Sequence, residues 1–321
     1  MKKLYSLFLV LALALFLAAC GSSDESDSSN AEGNSGNESS EESSNESSGE
    51  TPDTLVMGFV PSQDSDTIAD TVEPLAERLG EELGIEVKGE VMTNYNALVE
   101  AMGANQVQIG FIPAFGYVLA NEQYDVEVIL KSIRYGSGTY KAQYLVRSDS
   151  GIESLADLEG KVWVYGDKGS TSGYLFPANQ LMEEFGYESA PELESDFFAG
   201  TQQTGGHDNS ALAVYNGDAD VATTFDDVRT ELEEEYPDVM EKLEVLEYTQ
   251  EIPNDTISVT KELDDELVQK IKDAFMSFND DEEMIQIMNE VYNWDAIDEA
   301  SDEEYEVVKE TYQQFKDNIE L

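Results

Sequence analysis

The sequence predicts an α/β protein of two layered lobes joined by a two-strand hinge, and three observations lead to it. Short apolar runs alternate with amphipathic helical stretches up to about residue 130. The same alternation resumes after residue 150, and two further strand-like segments fall outside either series. Strands separated by helices pair in parallel through crossovers, so each series builds one α/β lobe. The odd segments, Tyr144–Val146 and Thr256–Val259, are the candidate crossings. Two lobes around a cleft with such a hinge make a clamp for a ligand.

The chain starts with Lys2 and Lys3, followed by an apolar run from Leu7 to Ala19 and then Cys20. A basic start and a short apolar stretch describe a secretory signal, too short for a stable spanning helix. Leu17-Ala18-Ala19-Cys20 resembles a bacterial lipobox, which implies cleavage before Cys20 and its acylation. Acyl chains bury methylenes worth about 0.8 kcal/mol each, and two or three hold a soluble domain on a membrane. Cys20 is the only cysteine, so a mature chain lipidated there has no thiol for disulfides, thiolate metal sites or nucleophilic chemistry.

Residues 20–52 read as a tether. From Gly21 to Pro52 they are almost entirely Ser, Glu, Asp, Asn and Gly, without an aromatic, Lys or Arg. Nothing apolar offsets the ordering entropy there, and the like charges repel. Three folded segments are expected after it: 53–147 as the first lobe, 148–250 as the second, and 251–321 returning to the first lobe with C-terminal helices. Each element has its own signal. Leu55–Val60 is an apolar run ending at Pro61, hence a buried strand. Ile68, Val72, Leu75, Leu79 and Leu83 repeat every three or four residues, hence an amphipathic helix closed by Gly84. Ile85, Val87 and Val91 alternate as a strand; Tyr95–Ala104 is helical, Val107–Ile112 a strand, and Pro113 opens another helix. Val126–Leu130, Lys161–Tyr165 and Val221–Phe225 follow as strands and Thr171–Phe185 as a helix, while Lys261–Ile319 has a helical pattern.

Sixty-nine acidic residues against 17 basic give a formal net charge of −52. Nucleic acid is an improbable partner, because phosphate neutralisation needs clustered Lys and Arg. The acidic runs, such as Asp264-Asp265-Glu266, lack the alternating ligands and turn glycine of a calcium loop and read as a solvated face. No cofactor or metal site is expected. With a single histidine and no Gly-x-Ser-x-Gly or His-Glu-x-x-His element, the chain also lacks the signature of a hydrolase.

Five stretches carry a resemblance. In chain order they are Asn94–Met102, Phe111–Ala120, Gly169–Pro177 (Gly-Ser-Thr-Ser-Gly-Tyr-Leu-Phe-Pro), Thr204–Val214 (with Gly205-Gly206-His207-Asp208) and Asp218–Asp227. Together they resemble the phosphate/phosphite/phosphonate-binding proteins of ABC transporters, over residue 54 to the C-terminus. The resemblance implies the type II periplasmic-binding-protein fold and a small oxyanion held between the lobes. It further implies delivery to an ABC permease and ATPase by a monomer on the outer face of the cell membrane.

The candidate ligand residues also make chemical sense. Ser170, Thr171 and Ser172 follow a strand and a Gly-rich loop and open a helix. A helix N-terminus carries unsatisfied N–H groups and about half a positive charge, so it can hold a tetrahedral anion without an arginine. Simple capping accounts for one hydroxyl of the three. Tyr95, at the start of the second helix, is placed to donate from the other lobe, and His207 to donate from the start of a later one. Asp226 is the candidate acceptor for a P–OH proton, a group that would reject fully ionised competitors such as sulfate. Tyr117, Tyr140, Asp227 and Lys168 are weaker candidates; Lys168 lies where the family's Asp-Pro dipeptide is replaced by Gly166-Asp-Lys-Gly169. Glu194 and Asp196 are the acids that could hold an aminoalkyl group.

Overall fold

The computed structural model describes residues 52–63, 65–226 and 228–316. The expected leader, Cys20, the tether up to Thr51, and Asp227 lie outside the described residues.

The first lobe begins with β1 (Thr54–Phe59), α1 (Ser65–Leu83), β2 (Glu86–Val91), α2 (Tyr95–Gly103), β3 (Ile109–Ile112), α3 (Ala114–Tyr124) and β4 (Glu127–Ile133). The apolar stripe of α1, from Ile68 through Val72 and Leu75 to Leu79, is buried as its spacing requires. Asn94 caps α2 by accepting the Ala97 N–H at 2.8 Å. The chain then builds the second lobe from β5 (Thr139–Arg147), β6 (Val162–Tyr165), α4 (Phe176–Phe185), the single turn α5 (Ala190–Glu192) and β7 (Gly200–Gln203). After these come α6 (His207–Asn216), β8 (Val221–Phe225), two short helices, α7 (Val228–Leu232) and α8 (Val239–Lys242), and the long β9 (Leu243–Pro253). It returns to the first lobe through β10 (Thr256–Val259), α9 (Asp265–Ser277), α10 (Glu282–Tyr292), β11 (Ala296–Glu299) and α11 (Glu306–Phe315).

Two sheets result, ordered β11-β4-β10-β3-β1-β2 and β7-β6-β8-β5-β9. In the first, β1 pairs in parallel with β2 and β3, while β10 lies antiparallel between β3 and β4. In the second, β6 is parallel to β7 and β8, and β5 is antiparallel to β8 and β9. The two-lobed α/β type II architecture therefore matches the expectation. Helices α9 and α10 pack on α1, and α11 packs on α3, so the tail returns to the first lobe.

Three details differ from the sequence reading. The segments read as crossings are sheet strands: β5 stands inside the second sheet and β10 inside the first. The crossings are the short stretches ahead of each, 134–138 and 254–255. They run side by side, with Ser132 N–H to Asp255 O and Asn254 N–H to Gly138 O, both at 3.0 Å. The Asn254 amide bolts them together, donating to the carbonyls of Ser132 at 3.0 Å and Ser137 at 2.8 Å. Because β5 pairs within the second sheet, residues 139–147 stand with that sheet and not with the first. Finally, the helical tail is interrupted by β11, which completes the first sheet beside β4.

Candidate functional site

The loop after β6 is shaped by its hydroxyls. Ser170 caps the following turn, its Oγ accepting the Gly173 N–H at 3.0 Å. The turn Thr171–Leu175 is a wide π-type one, in which the Leu175 N–H reaches back to Ser170 O at 3.1 Å, before α4 takes over. Such turns concentrate at functional sites because they splay the first residues outward. The loop is braced from behind: the Trp163 indole N–H donates to Thr223 Oγ1 at 2.9 Å, and Thr223 in turn donates to the Gly173 carbonyl. A Cβ on Gly173 would meet Ser170 Oγ at 2.9 Å and His207 Cε1 at 3.3 Å, so only glycine lets the loop sit this close to α6.

The lobes are closed over this loop. His207 N–H at the start of α6 donates to Ser62 O at 3.0 Å, and Phe115 N–H at the start of α3 donates to Thr171 Oγ1 at 3.0 Å. Glu231 of α7 accepts from Gln63 Nε2 at 2.9 Å and from the Asn293 amide, and lies 3.8 Å from Arg134 Nη2. Between the lobes remains a small cavity of about 30 Å³. The first lobe supplies Ser62, Tyr95 and Tyr292 to its wall; the second supplies Tyr140, Ser170, Ser172, His207 and Phe225. The hinge crossings supply Arg134 and Asp255.

The predicted residues thus divide. Ser170, Ser172, Tyr95, His207 and Tyr140 meet at the cavity, with the Tyr95 hydroxyl beside Ser170 and that of Tyr140 beside Ser172. Thr171 is fully buried beside them, its hydroxyl taken by Phe115. Asp226 turns instead to the Lys141 N–H, at 3.2 Å, and is not part of the wall. Tyr117 is in the first lobe's core, donating to Asp302 at 2.6 Å and packing edge-on against Tyr305. Lys168 lines a separate open groove of about 490 Å³ with Asn94, Asn96 and the outer side of Tyr95, and its ammonium pairs with Glu194 at 2.9 Å. Glu194 is further occupied by the hydroxyls of Tyr174 and Thr201, and the Asp196 carboxylate by the Ser195 hydroxyl at 2.8 Å.

Arg134, Asp255 and Tyr292 were missed. Arg134 is only 8% exposed, its guanidinium 4.9 Å from the Phe225 ring centroid. It is one of four arginines in the chain and stands two residues before the Gly136-Ser137-Gly138 turn, the one sequence signal that could have singled it out. Its presence corrects the expectation that backbone dipoles and hydroxyls alone offset the acidic surroundings: a cation stands at the cavity.

Burial, and then the charge of Arg134, push His207 down from the ordinary 6.5 to about 3. It is therefore neutral at physiological pH, with Nε2 3.3 Å from Ser170 Oγ. The unfolded chain takes up this proton near 6.5 and the folded chain only near 3, so the residue's contribution to stability is lost as pH falls through that window. Between pH 7 and 5 the protein should lose about 2 kcal/mol relative to His207→Gln, read from denaturant unfolding of both at each pH. Parallel curves for the two proteins would show that His207 accepts a proton in the folded state.

Comparisons with known proteins bear on the family and the fold. A profile of the family described as "ABC transporter, phosphonate, periplasmic substrate-binding protein" matches residues 57–305. The chain is 29% identical over 219 residues to the phosphate-import protein PhnD of Mycolicibacterium smegmatis, covering 67% of this chain and 63% of that one. It is 28% identical over 190 residues to the phosphonates-binding periplasmic protein of Escherichia coli, covering 58% and 54%. The chain thus spans less than two thirds of the length of either curated relative. In fold it is similar to PhnD1 of Prochlorococcus marinus, solved in complex with methylphosphonate, at a TM-score of 0.73 and 19% identity, covering 84% of this chain and 100% of that one. A phosphonate-transporter binding protein from Pseudomonas aeruginosa gives a TM-score of 0.72 at 23% identity, covering 81% and 85%.

Proposed function

The chain belongs to the periplasmic phosphonate substrate-binding family of ABC transporters, and from that premise we propose that it is the ligand-binding component of an importer. It takes a small phosphorus oxyanion (phosphonate, phosphite or phosphate) between its lobes and hands it to a permease and ATPase. Cys20 carries the lipid that holds this monomer on the outer face of the cell membrane. The proteins it resembles are named for binding and import and not for catalysis.

One observation carries the reading: a hydroxyl-rich helix start, a buried arginine and three tyrosines converge on one closed interlobe cavity. At about 30 Å³, one water's share of the liquid, the cavity as closed here excludes large ligands, and a compact tetrahedral anion would hold the lobes slightly further apart. Sites for drug-sized ligands run to about 300–1,000 Å³. Ser170 and Ser172 donate from one lobe, Tyr95 from the other, and Arg134 from the hinge adds the charge-assisted contact. Closure excludes water and strengthens each of these interactions.

A thermal-shift screen of the purified protein with phosphite, methylphosphonate, aminoethylphosphonate, phosphate and sulfate tests this. A ligand at a hundred times its dissociation constant adds about 2.7 kcal/mol of stability. That raises Tm by roughly 5–10 °C for a chain of this size. If none of the phosphorus oxyanions shifts the transition, the reading is lost. Within the site, Ser172→Ala removes one hydrogen bond to a charged ligand, about 1.5–3 kcal/mol. Calorimetry should show affinity weakened by roughly tenfold to a hundredfold; unchanged affinity would take Ser172 out of the site.

A further inference from the structure

Glu231 belongs to the seam between the lobes, and the chemistry of the cavity does not use it. It sits on α7 of the second lobe and does not line the cavity. Its carboxylate accepts from Gln63 Nε2 at 2.9 Å and from the Asn293 amide, both on the first lobe, and lies 3.8 Å from Arg134 Nη2 on the hinge. Both lobes and the hinge thus meet on one carboxylate, whose side chain is only 19% exposed.

The partners on the first lobe are placed for this contact. Asn293 closes α10 with φ 58°, in the left-handed region. Glycine is the default at such a helix end, because it has no Cβ to strain there. Asparagine completes the same turn, its N–H donating to Asn289 O at 2.7 Å, and adds a side-chain amide that reaches across to α7. Gln63 follows Ser62, whose carbonyl takes the His207 N–H from the second lobe. The seam therefore runs on from the start of α6 to α7. The amides stand on one lobe and the carboxylate on the other, so these charge-assisted bonds last only while the lobes are shut.

Resting on the oxyanion-binding reading above, we infer that Glu231 is a clasp on the closed state: through the first-lobe amides it sets how long the protein keeps its anion, and not which anion it takes. A contact made only after closure slows reopening and escape, and leaves the encounter with the open protein unchanged. Its effect on affinity therefore falls on the off-rate. Because the carboxylate lies outside the cavity wall, its loss should weaken every bound anion alike.

Release of radiolabelled methylphosphonate and of radiolabelled phosphate from the saturated protein, chased with unlabelled anion, measures the off-rate, and calorimetry the affinity. Asn293→Gly removes the amide but keeps the turn, so it should unfold at the native temperature and yet release either bound anion roughly tenfold faster. Glu231→Ala should accelerate release further, with the ratio of the two affinities within about twofold of native in both variants. Adding Asn293→Gly to Glu231→Ala should change nothing more, because the amide has already lost its partner. Native release from Asn293→Gly, a full additional acceleration in the double variant, or a shifted affinity ratio would each overturn the clasp alone. If the native protein binds neither anion, the importer reading fails with it.

Discussion

Replacing Arg134 with glutamine is expected to weaken oxyanion binding by roughly a hundredfold to a thousandfold. Arg134 is the cation at a cavity whose wall also carries Asp255, and its Nη2 lies 3.8 Å from Glu231, the residue that ties α7 to Gln63 and Asn293. Removing one member of a buried charged set costs about 3–5 kcal/mol, because the remaining charges keep their desolvation penalty without their partner. Part of that falls on the ligand, which loses its charge-assisted contact, and part on the unliganded protein, where Asp255 and Glu231 are left facing each other's field. The variant should accordingly unfold at lower temperature as well as bind more weakly. Lysine is not expected to substitute, since a point charge cannot reproduce the planar group lying against Phe225. Calorimetry on Arg134→Gln decides it, and affinity within threefold of native would remove Arg134 from the site.

Gly169→Ala should act on closure itself. A Cβ at Gly169 would lie 2.7 Å from the Tyr95 Cβ on the opposing lobe. Both atoms are fixed to backbone, so no rotamer change relieves the contact and the lobes must part. Forced overlaps in packed interiors cost about 1–3 kcal/mol. Affinity should fall by roughly tenfold to a hundredfold while the stability of the unliganded protein stays close to native. X-ray scattering separates this from a loss of contacts: ligand should shrink the radius of the native protein and not that of the variant. A variant that closes and binds normally would show that the lobes meet elsewhere.

What the sequence revealed and what it hid follow the same physical lines. Central strands such as β1, β3 and β8 are buried on both faces and stand out as apolar runs, and α1 announces itself by its stripe. The strands that escaped notice, β7, β9 and β11, are all sheet edges. Gly200–Gln203 carries no apolar residue, β9 mixes Glu with Tyr and Thr, and Ala296–Glu299 has a single buried residue, Ile297. Edge strands face water, so their pattern carries little signal. In the site, residues on local motifs were legible: Ser170, Ser172 and His207 each follow a glycine-bearing loop into a helix. Arg134 and Asp255 were not, because their meeting depends on two crossings separated by the whole second lobe. Asp226 was preferred over Asp227 at a strand end, and its carboxylate turns to the Lys141 backbone instead.

The account rests on the closed interlobe cavity at Ser170–Ser172 being where the anion sits. A crystal structure of the protein with methylphosphonate is the direct measurement. It should show the phosphonate oxygens within hydrogen-bonding distance of Ser170, Ser172, Tyr95 and Arg134, with the lobes closed around it. Ligand density in the open groove beside Asn94 and Lys168, or an empty cavity behind a turned-away 169–173 loop, would contradict it.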